Sequence, residues 1–125
     1  MKKRILIVDD EENVRFFLAE NLALFDPACE IETASSGYAA LSQLVAEPFD
    51  LLITDLRLSG MSGLDLIRRA RQISPRTRTI LITAYGSSLI EAEAHHLHAH
   101  HYITKPFCIE QFIQATQEAL RPLNA

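Results

Sequence analysis

The chain has 125 residues, 48% of them hydrophobic, which predicts one packed globular domain rather than disorder. Its formal net charge of −4 argues against a nucleic-acid surface covering the domain. No apolar run approaches the ~20 residues that a membrane helix needs. Cys29 and Cys108 lack the spacing of a metal or redox motif, so two reduced thiols in a cytoplasmic protein are expected.

Five short apolar runs alternate with five segments in which apolar residues recur at the helical interval. Three of the runs are continuous, which is typical of parallel strands covered on both faces. The alternation predicts an α/β fold, a doubly wound five-stranded parallel sheet with right-handed crossovers. In chain order the elements are strand 5–8, helix 14–25, strand 31–34, helix 37–47, strand 51–54, helix 64–70, strand 80–83, helix 90–97, strand 102–104 and helix 109–120.

The domain organisation follows from the same pattern. No repeat, low-complexity tract or internal linker interrupts the ten elements. Residues 1–121 are therefore expected to form one domain, and residues 122–125 a tail or linker stub.

Polar side chains follow four of the predicted strands at the points where those strands end. They are Asp9 and Asp10 after the first strand, Asp55 after the third, Thr83 at the end of the fourth and Lys105 after the fifth. In open parallel sheets, ligands bind outside the carboxyl ends of the strands, at the switch in strand order. The sequence therefore places three carboxylates, a hydroxyl and an ammonium group at one edge of the sheet.

This set of groups suits phosphoryl transfer. Crowded carboxylates favour a bound divalent cation or a raised pKa, and Mg²⁺ prefers oxygen ligands. An aspartate can attack phosphorus and form an acyl phosphate, while a metal, a lysine and a hydroxyl neutralise the phosphoryl oxygens. Singly, each residue has a structural interpretation, with Asp10 as a helix cap and Lys105 as an ion-pair partner. Their joint occurrence favours a phosphoryl-accepting site.

Four stretches of the chain resemble the CheY-like receiver domain of two-component response regulators. They read ILIVDDEENVR, DLLITDLRLSGMSGLDLI, ILITAYG and YITKPF, and they run from the first strand to the last helix. The resemblance implies a flavodoxin-like (βα)5 fold with strand order 2-1-3-4-5. It also implies a signalling module of a phosphorelay, which catalyses its own phosphoryl transfer and is not an enzyme acting on a separate metabolite.

The resemblance assigns roles to the acidic residues. Asp55 would accept the phosphoryl group from a phosphohistidine of a sensor histidine kinase or of a histidine phosphotransfer protein. Mg²⁺ would be bound by Asp10, Asp55 and the backbone carbonyl of Arg57, with Asp9 acting through water.

The resemblance also implies a conformational switch. Thr83 and Lys105 would contact the phosphoryl oxygens, and Tyr102 would turn inward as Thr83 moves. The surface of the fourth helix, fifth strand and fifth helix would then change and control an output domain or partner protein. This surface also allows a homodimer, and no membrane or direct nucleic-acid contact is expected. The Lys105–Pro106 peptide bond is expected to be cis.

Arg57 and Tyr85 lie two residues beyond Asp55 and Thr83, at positions where members of the family vary. We hypothesise that the two side chains together hinder the attacking water and lengthen the phosphorylated state. Ordinary loop side chains in solvent are the alternative.

All five histidines fall within residues 95–101. His98 occupies a position that is usually glycine in relatives, and it is predicted to end the fourth helix in a left-handed conformation. Adjacent helical residues diverge by about 100°, so His95 and His96 cannot share an ion, and His100 and His101 point to opposite sides of a strand. The set is therefore a poor metal site, and a pH response of the output surface is the preferred hypothesis.

Two other classes of function compete with the receiver. Phosphatases of the haloacid-dehalogenase type also use an aspartate at a strand end, but their D-x-D motif would require an acid where Arg57 stands. A pseudo-receiver that acts by binding alone is disfavoured because the set of Asp9, Asp10, Asp55, Thr83 and Lys105 is intact.

Overall fold

A computed structural model describes residues 2–121 of the chain, and the predicted tail at 122–125 lies outside the described residues. Within residues 2–121, no helix combines the length and the apolar character that crossing a membrane requires. The elements are β1 (Arg4–Val8), α1 (Glu12–Phe25), β2 (Glu30–Ala34), α2 (Gly37–Ala46), β3 (Leu51–Asp55), α3 (Gly63–Ile73), β4 (Arg78–Thr83), α4 (Ser88–His96), β5 (His101–Thr104) and α5 (Ile109–Leu120).

The five strands form one parallel sheet in the order β2-β1-β3-β4-β5, which confirms the predicted fold class. The chain starts in β1, moves outward to β2 and then returns to β3 on the other side of β1. The strand order therefore reverses between β1 and β3, where ligands bind in such sheets. Val8 pairs with Thr54 across this boundary, so the residues that follow them are neighbours.

The sheet is buried on both faces because successive residues of a strand point to opposite sides. In β1, Ile5 and Ile7 pack with residues of α1 and α5, while Leu6 and Val8 pack with residues of α2 and α3. Leu81 of β4 packs against α3 and α4 in a smaller cluster. Full burial of one such side chain stabilises the fold by ~1.5–3 kcal/mol. The polar residues that follow these strands are therefore held on a rigid base.

The end of α4 confirms the prediction for His98. This residue has a φ of 61°, in the left-handed region. The His98 N–H donates to the carbonyl of His95 at 2.9 Å, and the Ala99 N–H donates to that of Ala94 at 3.0 Å. These two bonds form a Schellman motif, in which a left-handed residue ends the helix and satisfies its last carbonyls.

The start of α3 is fixed by a capping box that lies just after the loop following Asp55. The Ser62 hydroxyl accepts from the Asp65 N–H at 3.1 Å, and the Asp65 carboxylate accepts from the Ser62 N–H at 3.4 Å. Burial alone would raise the pKa of Asp65, but the hydrogen bonds with Ser62 and the Arg68 guanidinium hold it below its usual value. The cap thus anchors one end of the loop beside the candidate site.

We expect Ser62→Ala to lower the free energy of unfolding by ~1 kcal/mol, because an N–H in the first turn of α3 loses its acceptor. Urea denaturation measures this as a lower midpoint with an unchanged slope. Ser88→Ala is the control, since Ser88 is exposed and lies at the first position of α4 rather than at its cap. Equal midpoints for wild type and Ser62→Ala would show that the cap contributes nothing.

Candidate functional site

The polar residues predicted from the strand ends lie together at the carboxyl edge of the sheet. Asp9 follows β1 and is 3% exposed, whereas its neighbour Asp10 is exposed. Asp55 is the last residue of β3 and is partly buried. Lys105 follows β5, and its peptide bond to Pro106 is cis.

Lys105 links the ends of three strands. Its Nζ lies 3.0 Å from Oδ2 of Asp55 and 3.6 Å from Oδ2 of Asp9. Burial lowers the pKa of the Lys105 ammonium, but the hydrogen bond with Asp55 and the charges of Asp55 and Asp9 outweigh it and raise this pKa. The lysine is therefore a fixed positive charge between two carboxylates.

The pKa of the Asp9 carboxyl group is shifted far from its usual value. Burial raises its pKa to about 6, and the neighbouring carboxylate of Asp55 adds to the rise. The Glu11 N–H, which donates to Oδ1 of Asp9 at 2.9 Å, and the charge of Lys105 act in the opposite direction. A buried carboxylate beside a second one favours a nearby cation.

The donor set fits a divalent metal ion that prefers oxygen. Carboxylate oxygens of Asp9, Asp10 and Glu11 lie within 4.8 Å of one another. Among residues 2–121 this group does not include Asp55, whose Oδ2 lies 3.0 Å from Nζ of Lys105. The Arg57 N–H donates to Oδ1 of Asp55 at 3.4 Å, which brings the backbone of Arg57 beside the same carboxylate.

Glu11 was not expected at this site. In the sequence it directly follows Asp10, at the start of a helical segment, where acids are common because they favour the positive end of the helix dipole. Its proximity to the other two carboxylates depends on the turn between β1 and α1. That turn is shaped by the bond from the Glu11 N–H to Asp9.

Thr83 and Tyr102 lie on neighbouring strands, and both face the loop between β4 and α4. Thr83 is fully buried, and its Oγ1 accepts from the Tyr85 N–H at 2.9 Å. The ring of Tyr102 packs against Leu81 and the cluster of α3 and α4, and its hydroxyl is buried without a hydrogen-bond partner in the described part of the chain. Both candidate switch residues are thus coupled to one loop, and the Tyr102 hydroxyl already lies in the inward position that it was expected to reach only as Thr83 moves.

The side chain of Arg57 stacks on the ring of Tyr85. The guanidinium carbon lies 3.8 Å from the ring centroid, the geometry of a cation–π interaction. Tyr85 is 56% exposed, so the stacked pair covers the outside of the site and not the core. The sequence indicated that both residues border the site, but not that they contact each other.

The histidines lie away from this edge of the sheet. His95 and His96 form the last turn of α4, and Nδ1 of His100 accepts from the Thr79 N–H at 3.4 Å. Partial burial and the charges of Arg78, His101 and His98 lower the pKa of His100. The candidate metal-binding group of three acids found within residues 2–121 contains no histidine. The lowered pKa of His100 favours its neutral form.

The sequence matches the family model described as the response regulator receiver domain over residues 5–117. It is 36% identical over 123 residues to Response regulator protein PilR of Pseudomonas aeruginosa, covering 98% of this chain and 27% of PilR. It is 32% identical to Sporulation initiation phosphotransferase F of Bacillus subtilis, covering 100% of this chain and 98% of that protein. The chain thus spans about a quarter of one relative and nearly the whole of the other.

Solved structures give the same likeness. A response regulator receiver domain protein (CheY-like) from Methanospirillum hungatei has a TM-score of 0.90 and 28% identity, with 96% of this chain and 94% of that chain covered. Response regulator protein TrrA from Thermotoga maritima, solved in complex with Mg(2+)-BeF, has a TM-score of 0.84 and 33% identity. That alignment covers 94% of this chain and 99% of that chain.

Proposed function

The chain belongs to the response regulator receiver domain family, and from this premise we propose that it accepts a phosphoryl group on Asp55 from a phosphohistidine. The donor is a sensor histidine kinase or a histidine phosphotransfer protein. Phosphorylation switches the surface formed by α4, β5 and α5, which controls an output domain or partner protein and allows a homodimer. Residues 1–121 are the unit that carries this function.

One observation carries the proposal, the position of Lys105 between Asp55 and Asp9. An ammonium group 3.0 Å from a carboxylate at the reversal of strand order lies where it can also bind an oxygen of a group attached to that carboxylate. An isolated structural ion pair would not need the second, buried carboxylate of Asp9, whose Oδ2 lies 3.6 Å from the same ammonium group. This arrangement supports the proposal, because a fixed cation beside the acceptor carboxylate can bind an oxygen of an incoming phosphoryl group.

In the transfer step a carboxylate oxygen of Asp55 attacks phosphorus. The bond from phosphorus to the imidazole nitrogen of the donor breaks, an acyl phosphate forms and the donor histidine leaves with the electron pair. Lys105 neutralises one phosphoryl oxygen, and the Thr83 hydroxyl donates a hydrogen bond to another. Asp10, Asp55 and the Arg57 carbonyl would hold Mg²⁺, with Asp9 acting through water, and the ion would supply further neutralisation of the phosphoryl charge.

The switch follows from the added charge of about −1.5 to −2. Thr83 turns toward the phosphoryl group, and the loop attached to its hydroxyl moves with it. Tyr102 then changes its position between the sheet and α4. Partners detect the resulting change in the α4, β5 and α5 surface.

Phosphoramidate, a small donor with a phosphorus–nitrogen bond, tests this chemistry. With Mg²⁺ present, we expect a mass gain of one phosphoryl group that hydroxylamine removes, since hydroxylamine cleaves acyl phosphates and leaves phosphate esters of serine and threonine intact. A gain that resists hydroxylamine would contradict the proposal. Steady turnover of p-nitrophenyl phosphate would instead support a phosphatase.

The stack of Arg57 on Tyr85 yields a prediction about the lifetime of the phosphorylated state. We expect Arg57→Ala and Tyr85→Ala each to speed dephosphorylation by about 2- to 5-fold, the rate equivalent of a cation–π contact of ~0.5–1 kcal/mol. Loss of the stack opens the path of the attacking water. The decay of the phosphoprotein, followed by intact mass after removal of the donor, measures the rate.

Tyr85→Phe is the matched control for this prediction, because it keeps the ring on which the guanidinium stacks. It should decay at the wild-type rate. Unchanged rates for both alanine variants would mean that the two side chains do not shield the acyl phosphate.

A further inference from the structure

Gly86, in the loop between β4 and α4, leaves the space in which the Tyr102 hydroxyl lies. A methyl group at position 86 would overlap Oη of Tyr102 and would lie 2.9 Å from Cγ2 of Thr104 and 3.3 Å from Cζ of Tyr102. The φ of Gly86 is outside the left-handed region. Its backbone would therefore accept alanine, and the obstacle to a side chain is the tyrosine.

The position of the Tyr102 hydroxyl is balanced between two opposing effects. The ring gains from packing beside Leu81, Ala94 and Leu97. The hydroxyl is buried without a hydrogen-bond partner in the described residues, which disfavours this position relative to one in which water reaches it. The cost of burying the hydroxyl therefore opposes the gain from packing the ring in this position.

The loop beside the Tyr102 hydroxyl is connected to Thr83 by a hydrogen bond. The Thr83 hydroxyl accepts from the Tyr85 N–H at 2.9 Å, and Gly86 is the next residue along the chain. A movement of the Thr83 side chain therefore shifts the backbone that touches the Tyr102 hydroxyl. The path from Thr83 to Tyr102 is continuous through Tyr85 and Gly86.

We propose that Gly86 is the positioning residue of the switch, because its lack of a side chain admits the Tyr102 hydroxyl to its buried position. The loop backbone at Tyr85 and Gly86 transmits the movement of Thr83 to that hydroxyl. The meaning of this movement as a response to phosphorylation rests on the proposed function. The contact between Gly86 and Tyr102 does not rest on the proposed function, so the contact and the response to phosphorylation can be tested separately.

The test uses the whole chain labelled with 3-fluorotyrosine, which gives one ¹⁹F resonance for each of Tyr38, Tyr85 and Tyr102. Tyr102→Phe assigns the third resonance by its loss, and a soluble gadolinium chelate broadens the resonances of solvent-exposed rings. In the unphosphorylated wild type, we expect the Tyr102 resonance to be protected. In Gly86→Ala it should broaden as strongly as those of Tyr38 and Tyr85, while Ser88→Ala should leave it protected. Wild-type protection in Gly86→Ala would overturn the proposal.

Denaturation in urea gives a second measurement that remains informative if Gly86→Ala is weakly folded. Tyr102→Phe should have a midpoint equal to or above that of the wild type, because it removes a buried hydroxyl without a partner. The drop in midpoint caused by Gly86→Ala should be at least halved in the Tyr102→Phe background, where the overlapping oxygen is gone. An additive double variant, or a lower midpoint for Tyr102→Phe, would overturn the proposal.

Phosphorylation separates this inference from the proposed function. If wild type and Gly86→Ala both gain a phosphoryl group, the Tyr102 resonance should shift in the wild type and stay fixed in the variant. A full shift in Gly86→Ala would overturn the positioning role. If neither protein gains a phosphoryl group, the proposed function fails, while the protection and denaturation results still decide the contact between Gly86 and Tyr102.

Discussion

Lys105→Met should slow phosphoryl acceptance by about 100-fold or more, the usual effect of removing one group that stabilises developing charge. The same substitution should strengthen Mg²⁺ binding. In the wild type the ammonium lies 3.0 Å from Oδ2 of Asp55 and 3.6 Å from Oδ2 of Asp9. It therefore repels an incoming divalent cation and competes with it for these carboxylate oxygens. Methionine keeps most of the side-chain volume and removes the charge.

Two measurements separate these opposite effects. The rate of mass gain with phosphoramidate reports phosphoryl acceptance, and isothermal titration with Mg²⁺ reports affinity. Lys105→Arg is the control, because it keeps the positive charge and should keep the weaker Mg²⁺ affinity of the wild type. A Lys105→Met protein that accepts phosphoryl at the wild-type rate would exclude a direct role of the ammonium. Weaker Mg²⁺ binding would show that Lys105 supports the metal site instead of competing with it.

Asp10→Asn should weaken Mg²⁺ binding by about 100-fold. Loss of a second-shell partner typically costs 10- to 100-fold in metal affinity, and loss of a charged ligand costs at least as much. Under the proposed function Mg²⁺ would supply part of the neutralisation of the phosphoryl group, so the rate of phosphoryl acceptance should fall with the affinity and recover partly at high Mg²⁺. Titration of the rate against Mg²⁺ concentration measures both quantities.

Glu11→Gln is the matched control for Asp10→Asn. Glu11 belongs to the same group of three acids, and each substitution removes one negative charge. Within this group of three acids, Asp10 alone is a proposed direct ligand, so Glu11→Gln should have a much smaller effect. If Glu11→Gln weakens binding as much as Asp10→Asn, the effect belongs to the net charge of the cluster and not to coordination by Asp10.

The sequence predicted the sheet because its central strands are continuous apolar runs. Strands such as β1 and β3 are buried on both faces, and their pattern is distinct from that of the helices that cover them. Once the strands were predicted to be parallel, the edge that gathers Asp9, Asp55 and Lys105 followed, because the carboxyl ends of parallel strands lie at one edge of a sheet. The left-handed ending of α4 at His98 was predicted from the resemblance, because relatives usually have glycine at this position, and from the tolerance of histidine for that conformation.

The loop between β4 and α4 was beyond prediction from the sequence. The stack of Arg57 on Tyr85 and the approach of the Tyr102 hydroxyl to Gly86 depend on side-chain rotamers and on the course of a short loop. Neither contact produces a periodicity or a residue spacing that can be recognised in a sequence. Glu11 was missed for a related reason, because an acid at the start of a helix is common and its neighbours depend on the turn that precedes it.

The most direct test is the intact mass of the protein after incubation with acetyl phosphate, with and without Mg²⁺, beside an Asp55→Asn control. We expect a Mg²⁺-dependent gain of one phosphoryl group in the wild type and none in Asp55→Asn. A gain of the same size in Asp55→Asn would contradict the assignment of Asp55 as the acceptor. The absence of any gain from acetyl phosphate, from phosphoramidate and from a phosphorylated histidine protein would contradict phosphoryl acceptance altogether and indicate a domain that acts by binding alone.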